Sequence, residues 1–180
     1  MGKTGLRRRR QCRMSEQTLL HPGDPFPPVT VSLPGGCTLH LPDAATAHFG
    51  VILFNRGGWC PYCNAQLRAF QRSLERLAEL DVTVVALSVD DEATTQDLIT
   101  RHGLRFPVGY GANARAIAQV TGAFVSDDPV YLQSTGFVLD PAGRVVVSVY
   151  SSGAIGRLVP EDVVGLIRYL REHAESATSA

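Results

Sequence analysis

The sequence predicts an α/β fold with a central mixed β-sheet flanked by helices and an N-terminal β-hairpin. Two apolar runs, residues 51–55 and 83–89, have no polar alternation, which is typical of strands covered by helices on both faces. Between them, residues 61–80 follow a helical period, so a right-handed β-α-β crossover is expected. A later hairpin of residues 136–139 and 144–149 adds antiparallel strands.

The other elements follow from turn residues and apolar spacing. The N-terminal hairpin is predicted at residues 29–33 and 38–41, around Pro34-Gly35-Gly36, and a short helical turn at 43–48. Helices are expected at 92–101 and 112–120, before Gly103 and Gly122, with a short extended segment at 106–108 between them. The last helix begins at Pro160 and turns three residues toward the core: Val163, Ile167 and Leu170.

Length and composition favour a single domain. The chain has 180 residues, 44% of them hydrophobic, enough to bury a core without disulfide staples. We place the domain at residues 19–175, between a disordered basic tail (1–18) and a disordered C-terminus (176–180).

Charge is unevenly distributed along the chain. Six basic and no acidic residues precede Met14, and the remainder carries 11 basic against 17 acidic residues, a net charge of −6. Such a basic N-terminal segment is compatible with nucleic-acid or membrane contact. A disordered tail, or translation starting at Met14, is the simpler interpretation. Without a secretory signal or a long apolar run, the sequence predicts a cytoplasmic protein with no nucleic-acid or membrane partner.

The most informative motif is Trp59-Cys60-Pro61-Tyr62-Cys63, which joins the first apolar strand to a helix. The turn Asn55-Arg56-Gly57-Gly58 ends the strand, and Pro61 suits the first helical position, which puts Cys60 at the N-cap. Unpaired N–H groups and the positive end of the helix dipole favour a thiolate there. The arrangement predicts a redox-active dithiol.

Two other interpretations of the cysteine pair are open. It could be half of a zinc site, or it could be inert. Zinc needs a second pair, but Cys12 and Cys37 are widely separated and the five histidines lack ligand spacing. We therefore predict no metal and no cofactor.

Helical spacing distinguishes the two thiols. Cys63 starts an apolar stripe that continues through Leu67, Phe70, Leu74 and Leu77, so Cys63 faces the core while Cys60 lies at the helix tip. This asymmetry assigns Cys60 as the attacking thiol and Cys63 as the resolving thiol. Pro61 and Tyr62 hold the spacing and shape the turn. Trp59 either forms a docking surface for partners or caps the loop.

Several segments together resemble the thioredoxin-like superfamily, specifically peroxiredoxin-like proteins of the alkyl hydroperoxide reductase/thiol-specific antioxidant family. They span residues 22–171 and comprise Pro22-Gly23-Asp24-Pro25-Phe26-Pro27, residues 51–63, the strand ending in Ser88-Val89-Asp90, Phe106-Pro107-Val108 and Thr135-Gly136-Phe137-Val138-Leu139-Asp140. The resemblance implies a thioredoxin-like fold and antioxidant thiol chemistry.

The chain departs from that family in its reactive loop. Peroxiredoxins carry P-x-x-x-T/S-x-x-C, and with Cys63 as that cysteine, Cys60 takes the Thr position and Arg56 the Pro position. The family's arginine falls near Ser134, as does the cis-proline of thioredoxins. The buried carboxylate of thioredoxins corresponds to Phe54, so the proton acceptor for Cys63 is not identified.

Three functions follow. The first is a thiol–disulfide oxidoreductase in which Cys60 attacks and Cys63 resolves, with disulfide-bearing proteins or a thioredoxin-type reductant as partners. The alternative is a thiol peroxidase in which peroxide oxidises Cys63, Cys60 resolves the sulfenic acid, and Arg56 supplies positive charge. The second alternative is a redox-inactive binding module. The sequence leaves the oligomeric state open.

Overall fold

A computed structural model describes residues 19–46 and 48–178. The strands are β1 (Val29–Leu33), β2 (Cys37–Leu41), β3 (Phe49–Phe54), β4 (Val82–Leu87), β5 (Val108–Gly109), β6 (Val125–Asp127), β7 (Val130–Leu132), β8 (Thr135–Leu139) and β9 (Val145–Tyr150). The α-helices are α1 (Pro61–Arg72), α2 (Leu74–Ala78), α3 (Glu92–His102), α4 (Ala114–Thr121) and α5 (Pro160–Thr178). A 3₁₀ turn spans Asp43–Ala45.

The central sheet has five strands in the order β5-β4-β3-β8-β9. β3 pairs in parallel with β4 and antiparallel with β8, so the sheet is mixed. The β1–β2 hairpin forms its own two-stranded sheet. The predicted α/β fold with a mixed sheet and an N-terminal hairpin is therefore confirmed.

The strand that leads into the motif is buried on both faces. Ile52 and Phe54 pack into one apolar cluster with the N-terminal hairpin and α4. Val51 and Leu53 pack into a second cluster, together with α1 and α5. Successive side chains of a strand point to opposite faces, so a continuous apolar run contributes side chains to both apolar clusters.

The dithiol helix is shorter than predicted. The expected helix over residues 61–80 breaks at Ser73, where ψ is 2°. The Ser73 N–H donates to the carbonyls of both Ala69 and Phe70. The first bond has the α-helical spacing of four residues and the second the 3₁₀ spacing of three, and α1 ends at this tighter turn. The apolar stripe itself is confirmed: Cys63, Leu67, Phe70 and Leu77 are buried, and Leu74 is partly buried.

The β6–β7 hairpin was not predicted. Its strands have three residues each, too few for a period-two pattern to stand out in the sequence. Leu132 is fully buried, and the Gln133 N–H bonds the Phe124 carbonyl, which fixes the hairpin beside α4. This hairpin carries Tyr131, a residue of the site described below.

The predicted basic tail, including Cys12, lies outside the described residues. The domain limits stay predictions, and the backbone of α5 continues to Thr178. Within the described part of the chain, no helix combines the length and the apolar character needed to span a bilayer.

Candidate active site

Cys60 occupies the N-cap of α1, as the sequence predicts. Its backbone is extended, with φ −83° and ψ 113°, and Pro61 takes the first turn of the helix. The Cys63 N–H donates to Cys60 Sγ at 3.4 Å. A helix N-terminus thus directs one of its unpaired donors at the sulfur.

Residues 55–63, here termed the Cys loop, are anchored from two elements. Asp90, just after β4, accepts from the Gly58 N–H at 2.7 Å and from the Ser88 hydroxyl at 3.0 Å. Asn64 of α1 donates to the Gly58 carbonyl at 2.9 Å. Gly57 has φ +140°, and a Cβ there would lie 2.5 Å from Trp59 Nε1. The loop conformation therefore depends on glycine and on the Asp90 carboxylate.

Both sulfur-bearing residues are buried beneath exposed aromatic neighbours. Cys60 is 0% and Cys63 1% exposed, whereas Trp59 is 56% and Tyr62 52% exposed. The aromatic residues of the motif thus form the outer surface of the site. A reactant must displace part of this cover to reach either sulfur.

An arginine distant in sequence contacts the dithiol. Arg157 Nη2 lies 3.2 Å from Cys63 Sγ and 3.7 Å from Cys60 Sγ. Arg157 belongs to residues 151–159, the segment between β9 and α5 that we term the Arg157 loop. Its guanidinium lies 5.7 Å from the centre of the Tyr62 ring. The start of this loop is tied by the Ser151 N–H, which donates to the Ser134 carbonyl at 3.0 Å.

Arg56 provides a second positive charge. Its Nη1 lies 3.9 Å from Cys60 Sγ, and its backbone N–H donates to Cys63 Sγ at 3.4 Å. Its Nη2 donates to the Tyr131 hydroxyl at 2.9 Å. The guanidinium lies 5.0 Å from the Trp59 ring centre and 5.2 Å from that of Tyr131. Stacking and hydrogen bonding thus hold Arg56 over the thiols.

These surroundings give the two thiols different acidities. Burial raises the pKa of Cys60, but the Cys63 N–H and the charges of Arg157 and Arg56 outweigh it and leave that pKa below the ordinary value. Burial raises the pKa of Cys63, and the neighbouring Cys60 adds to the rise, while Arg157 and the Arg56 N–H only partly oppose it. Cys60 is therefore the thiol that ionises first.

The structure brings the predicted site residues together. Cys60, Cys63, Arg56, Trp59, Pro61 and Tyr62 all lie in or directly beside the dithiol, and Trp59 packs edge-to-face on Tyr131 at 5.3 Å. Cys37 is exposed at the start of β2. Across the part of the chain that the structure describes, no three His, Cys, Asp or Glu residues cluster as a metal site would require.

Sequence reasoning missed three residues of the site: Asp90, Tyr131 and Arg157. For Asp90 there is a signal: Ser88-Val89-Asp90 directly follows β4, and polar residues at the carboxyl end of a strand lie beside the neighbouring loops. Tyr131 and Arg157 carry no local signal. They reach the site only through the packing of a short hairpin and an irregular loop.

Comparison with known proteins identifies the family of the chain. The model of the AhpC/TSA family matches residues 22–148. The chain belongs to the AhpC/TSA family. A peroxiredoxin of Methanothermobacter thermautotrophicus is 30% identical over 157 residues, covering 83% of this chain and 72% of the relative. A peroxiredoxin of Treponema denticola is 25% identical over 153 residues, covering 83% and 73%.

Solved structures of the AhpC/TSA family share the fold. Enterococcus faecalis AhpC has a TM-score of 0.73 at 16% identity, over 87% of this chain and 96% of that structure. The reduced 2-Cys peroxiredoxin of Plasmodium vivax has a TM-score of 0.71 at 16% identity, over 88% and 99%. The predicted family and thioredoxin-like fold are confirmed, and the protein is an oxidoreductase of the peroxiredoxin-like class.

Proposed function

We propose that the protein is a thiol peroxidase in which Cys60 attacks the peroxide and Cys63 resolves the product. The observation that carries this proposal is the Arg157 guanidinium, which lies within 3.7 Å of both sulfurs. The sequence has Ser134 where peroxiredoxins place their arginine. Arg157 supplies a comparable charge from another loop, which supports peroxide chemistry at this dithiol.

Two guanidinium groups suit the charge that develops during peroxide cleavage. Negative charge accumulates on the departing oxygen, and donors fixed around it lower the barrier. Among the described residues, neither the Arg56 Nε nor the Arg157 Nε has a hydrogen-bond acceptor, although both atoms are buried. Peroxide oxygens are acceptors of the kind that these donors lack, and a buried donor that gains an acceptor is stabilised.

Burial of the thiols favours a small substrate. With Cys60 0% and Cys63 1% exposed, any protein partner, including a reducing dithiol, needs the site to open before it can reach either sulfur. A peroxide needs a much smaller displacement of the aromatic and arginine cover. The same geometry keeps water away from the thiolate and strengthens its interaction with both arginines.

The proposed cycle has three steps. The Cys60 thiolate attacks the distal oxygen of ROOH, the O–O bond breaks, Cys60 becomes a sulfenic acid, and RO⁻ leaves and takes a proton to give ROH. The Cys63 thiol then attacks the Cys60 sulfur, which releases water and forms the Cys60–Cys63 disulfide. An external dithiol reduces this disulfide and is itself oxidised to a disulfide.

The relatives support the same class of reaction, since those described above are peroxiredoxins. We assign a thioredoxin-type dithiol as the reducing partner, because a two-cysteine disulfide is exchanged by another dithiol. A cytoplasmic location fits this assignment, since thioredoxin and glutathione keep thiols reduced there.

Stopped-flow kinetics of the single-cysteine variants tests the proposal. Reduced Cys63→Ser is expected to form a stable Cys60 sulfenate rapidly with hydrogen peroxide, whereas Cys60→Ser reacts slowly. Because the surroundings lower the pKa of Cys60, the rate with Cys63→Ser should reach half its plateau at a lower pH than the rate of an ordinary exposed thiol does. A rapid Cys63 sulfenate in Cys60→Ser would reverse the roles, and no peroxide reaction in either variant would refute the peroxidase.

A second candidate, thiol–disulfide exchange, is favoured by the exposed Trp59 and Tyr62 beside the dithiol. Aromatic side chains at such positions provide docking area. Cys63→Ser would then trap mixed disulfides between Cys60 and protein substrates, and peroxide would not oxidise Cys60. A Cys60–Cys63 reduction potential far outside about −120 to −270 mV would favour the inert binding module instead.

A further inference from the structure

Gln66 links the dithiol helix to the loop that carries Arg157. It lies on α1 three residues after Cys63 and is only 6% exposed. Its Nε2 donates to the Leu158 carbonyl at 2.8 Å. Leu158 directly follows Arg157, so this bond fixes the backbone next to the guanidinium.

A glycine on the central sheet leaves room for the same segment. A Cβ at Gly136 of β8 would lie 2.9 Å from Leu158 Cβ, closer than packed side chains tolerate. Leu158 is 4% exposed in the space that this glycine leaves. The end of the Arg157 loop is therefore held by a hydrogen bond from α1 and by close packing against β8.

Inside the loop, the Arg157 side chain is held by the backbone of the loop itself. Its Nη1 donates to the Ala154 carbonyl. The start of the loop is tied to Ser134, and the end is tied to Gln66. Arg157 lies between these two attachments, directly beside the one that Gln66 makes.

We propose that Gln66 is a positioning residue that holds Arg157 over both thiols. Its kinetic consequence rests on the proposed peroxidase, whereas its effect on the thiolate does not depend on which reaction the dithiol performs. Without the Gln66 donor, the buried Leu158 carbonyl loses its partner, and the loop shifts to pair that carbonyl elsewhere. The guanidinium then moves away from the sulfurs, and its stabilisation of the thiolate weakens.

Gln66→Met tests this inference, because methionine keeps the length of the side chain and removes the donor. Gln71→Met is the matched control: Gln71 lies on the same helix, and its Oε1 accepts from the Arg105 N–H at 2.7 Å. A displacement of about 1 Å can cost about 10²-fold in rate, so we expect a ten- to hundredfold loss of peroxide reactivity for Gln66→Met. Its Cys60 thiolate should titrate at higher pH, and Gln71→Met should change neither property.

A double-variant comparison separates positioning from general damage. If Gln66 acts through Arg157, adding Gln66→Met to Arg157→Met changes the thiolate titration no further. An undiminished shift in the double variant, or a wild-type titration in Gln66→Met, would overturn the inference. If Gln66→Met does not fold, Gln66→Leu removes the same donor with a shorter apolar side chain, and the same direction of shift is expected. Failure of the wild-type protein to react with peroxide would refute the peroxidase and leave the titration test of Gln66 intact.

Discussion

The Cys loop and the Arg157 loop meet at the same two sulfurs but originate differently. The Cys loop places its thiols through local structure: a strand end, two glycines, and a helix that starts at Pro61. The Arg157 loop is irregular and contributes its guanidinium from 94 residues beyond Cys63. The Cys loop supplies the reactive sulfurs and one nearby guanidinium, that of Arg56, and the Arg157 loop adds a second guanidinium that helps to lower the pKa of Cys60.

Under the proposed function, Arg157 replaces the family's arginine in space rather than in sequence. The resemblance places that arginine near Ser134, whose carbonyl anchors the start of the Arg157 loop. The electrostatic requirement of a thiolate is a positive charge within a few ångströms. Any segment that packs against the N-terminus of α1 can meet it.

The largest expected effect is that of Arg157→Met, which removes the remote charge and keeps side-chain bulk. Losing one preorganised donor costs about 10²–10³-fold in rate, so peroxide reactivity should fall by that factor. The pKa of Cys60 should rise, because Arg157 is one of the charges that lower it. Rates and thiolate titration measured alongside Arg168→Met, an exposed arginine of α5, check this. Equal behaviour of the two variants would mean that the remote loop does not tune the thiols.

In the Cys loop, Gly57→Ala should destabilise the fold. At φ +140° a side chain is strained, and its Cβ would meet Trp59 and Asp90, so we expect a loss of about 1–3 kcal/mol in the free energy of unfolding. Denaturant titration measures it. Gly35→Ala is the control, because Gly35 has φ +90° with no atom within 4 Å of the added Cβ, which leaves only the conformational cost. Equal losses would show that contacts of the Cys loop add nothing to backbone strain.

A smaller effect is expected for Tyr131→Phe, which removes one hydrogen bond to Arg56 and keeps the stacked ring. A hydrogen bond contributes about 0.5–1.5 kcal/mol, so peroxide reactivity should fall by about two- to tenfold. Tyr169→Phe, an exposed position on α5, serves as the control. A loss as large as that of Arg157→Met would show that Tyr131 contacts the reacting atoms itself.

The smallest effect is expected at the N-terminus. A protein starting at Met14 should keep the unfolding free energy and the peroxide reactivity of the full chain, because the thiol contacts identified above come from residues 56–157. Cys12 is then not a resolving thiol. Peptide mapping of the oxidised full chain checks this, and a Cys12–Cys60 disulfide would contradict the prediction.

The sequence alone determined the local half of the site. An apolar run, two glycines, a proline at the start of the helix and a cysteine stripe are short-range signals, and they sufficed to place Cys60 at the N-cap and Cys63 toward the core. The same signals predicted the mixed central sheet, the separate β1–β2 hairpin and the β8–β9 hairpin. These features depend on neighbouring residues, whose spacing is written directly in the chain.

Only the tertiary structure decided which charges surround the thiols. Arg157, Tyr131 and Gln66 have no distinguishing local pattern, and they meet because α1, the β6–β7 hairpin and the Arg157 loop pack around one end of the sheet. It also decided that Cys60 is buried together with Cys63, although an N-cap position suggests an exposed helix tip. Burial and electrostatics sum over groups far apart in sequence, so spacing along the chain cannot specify them.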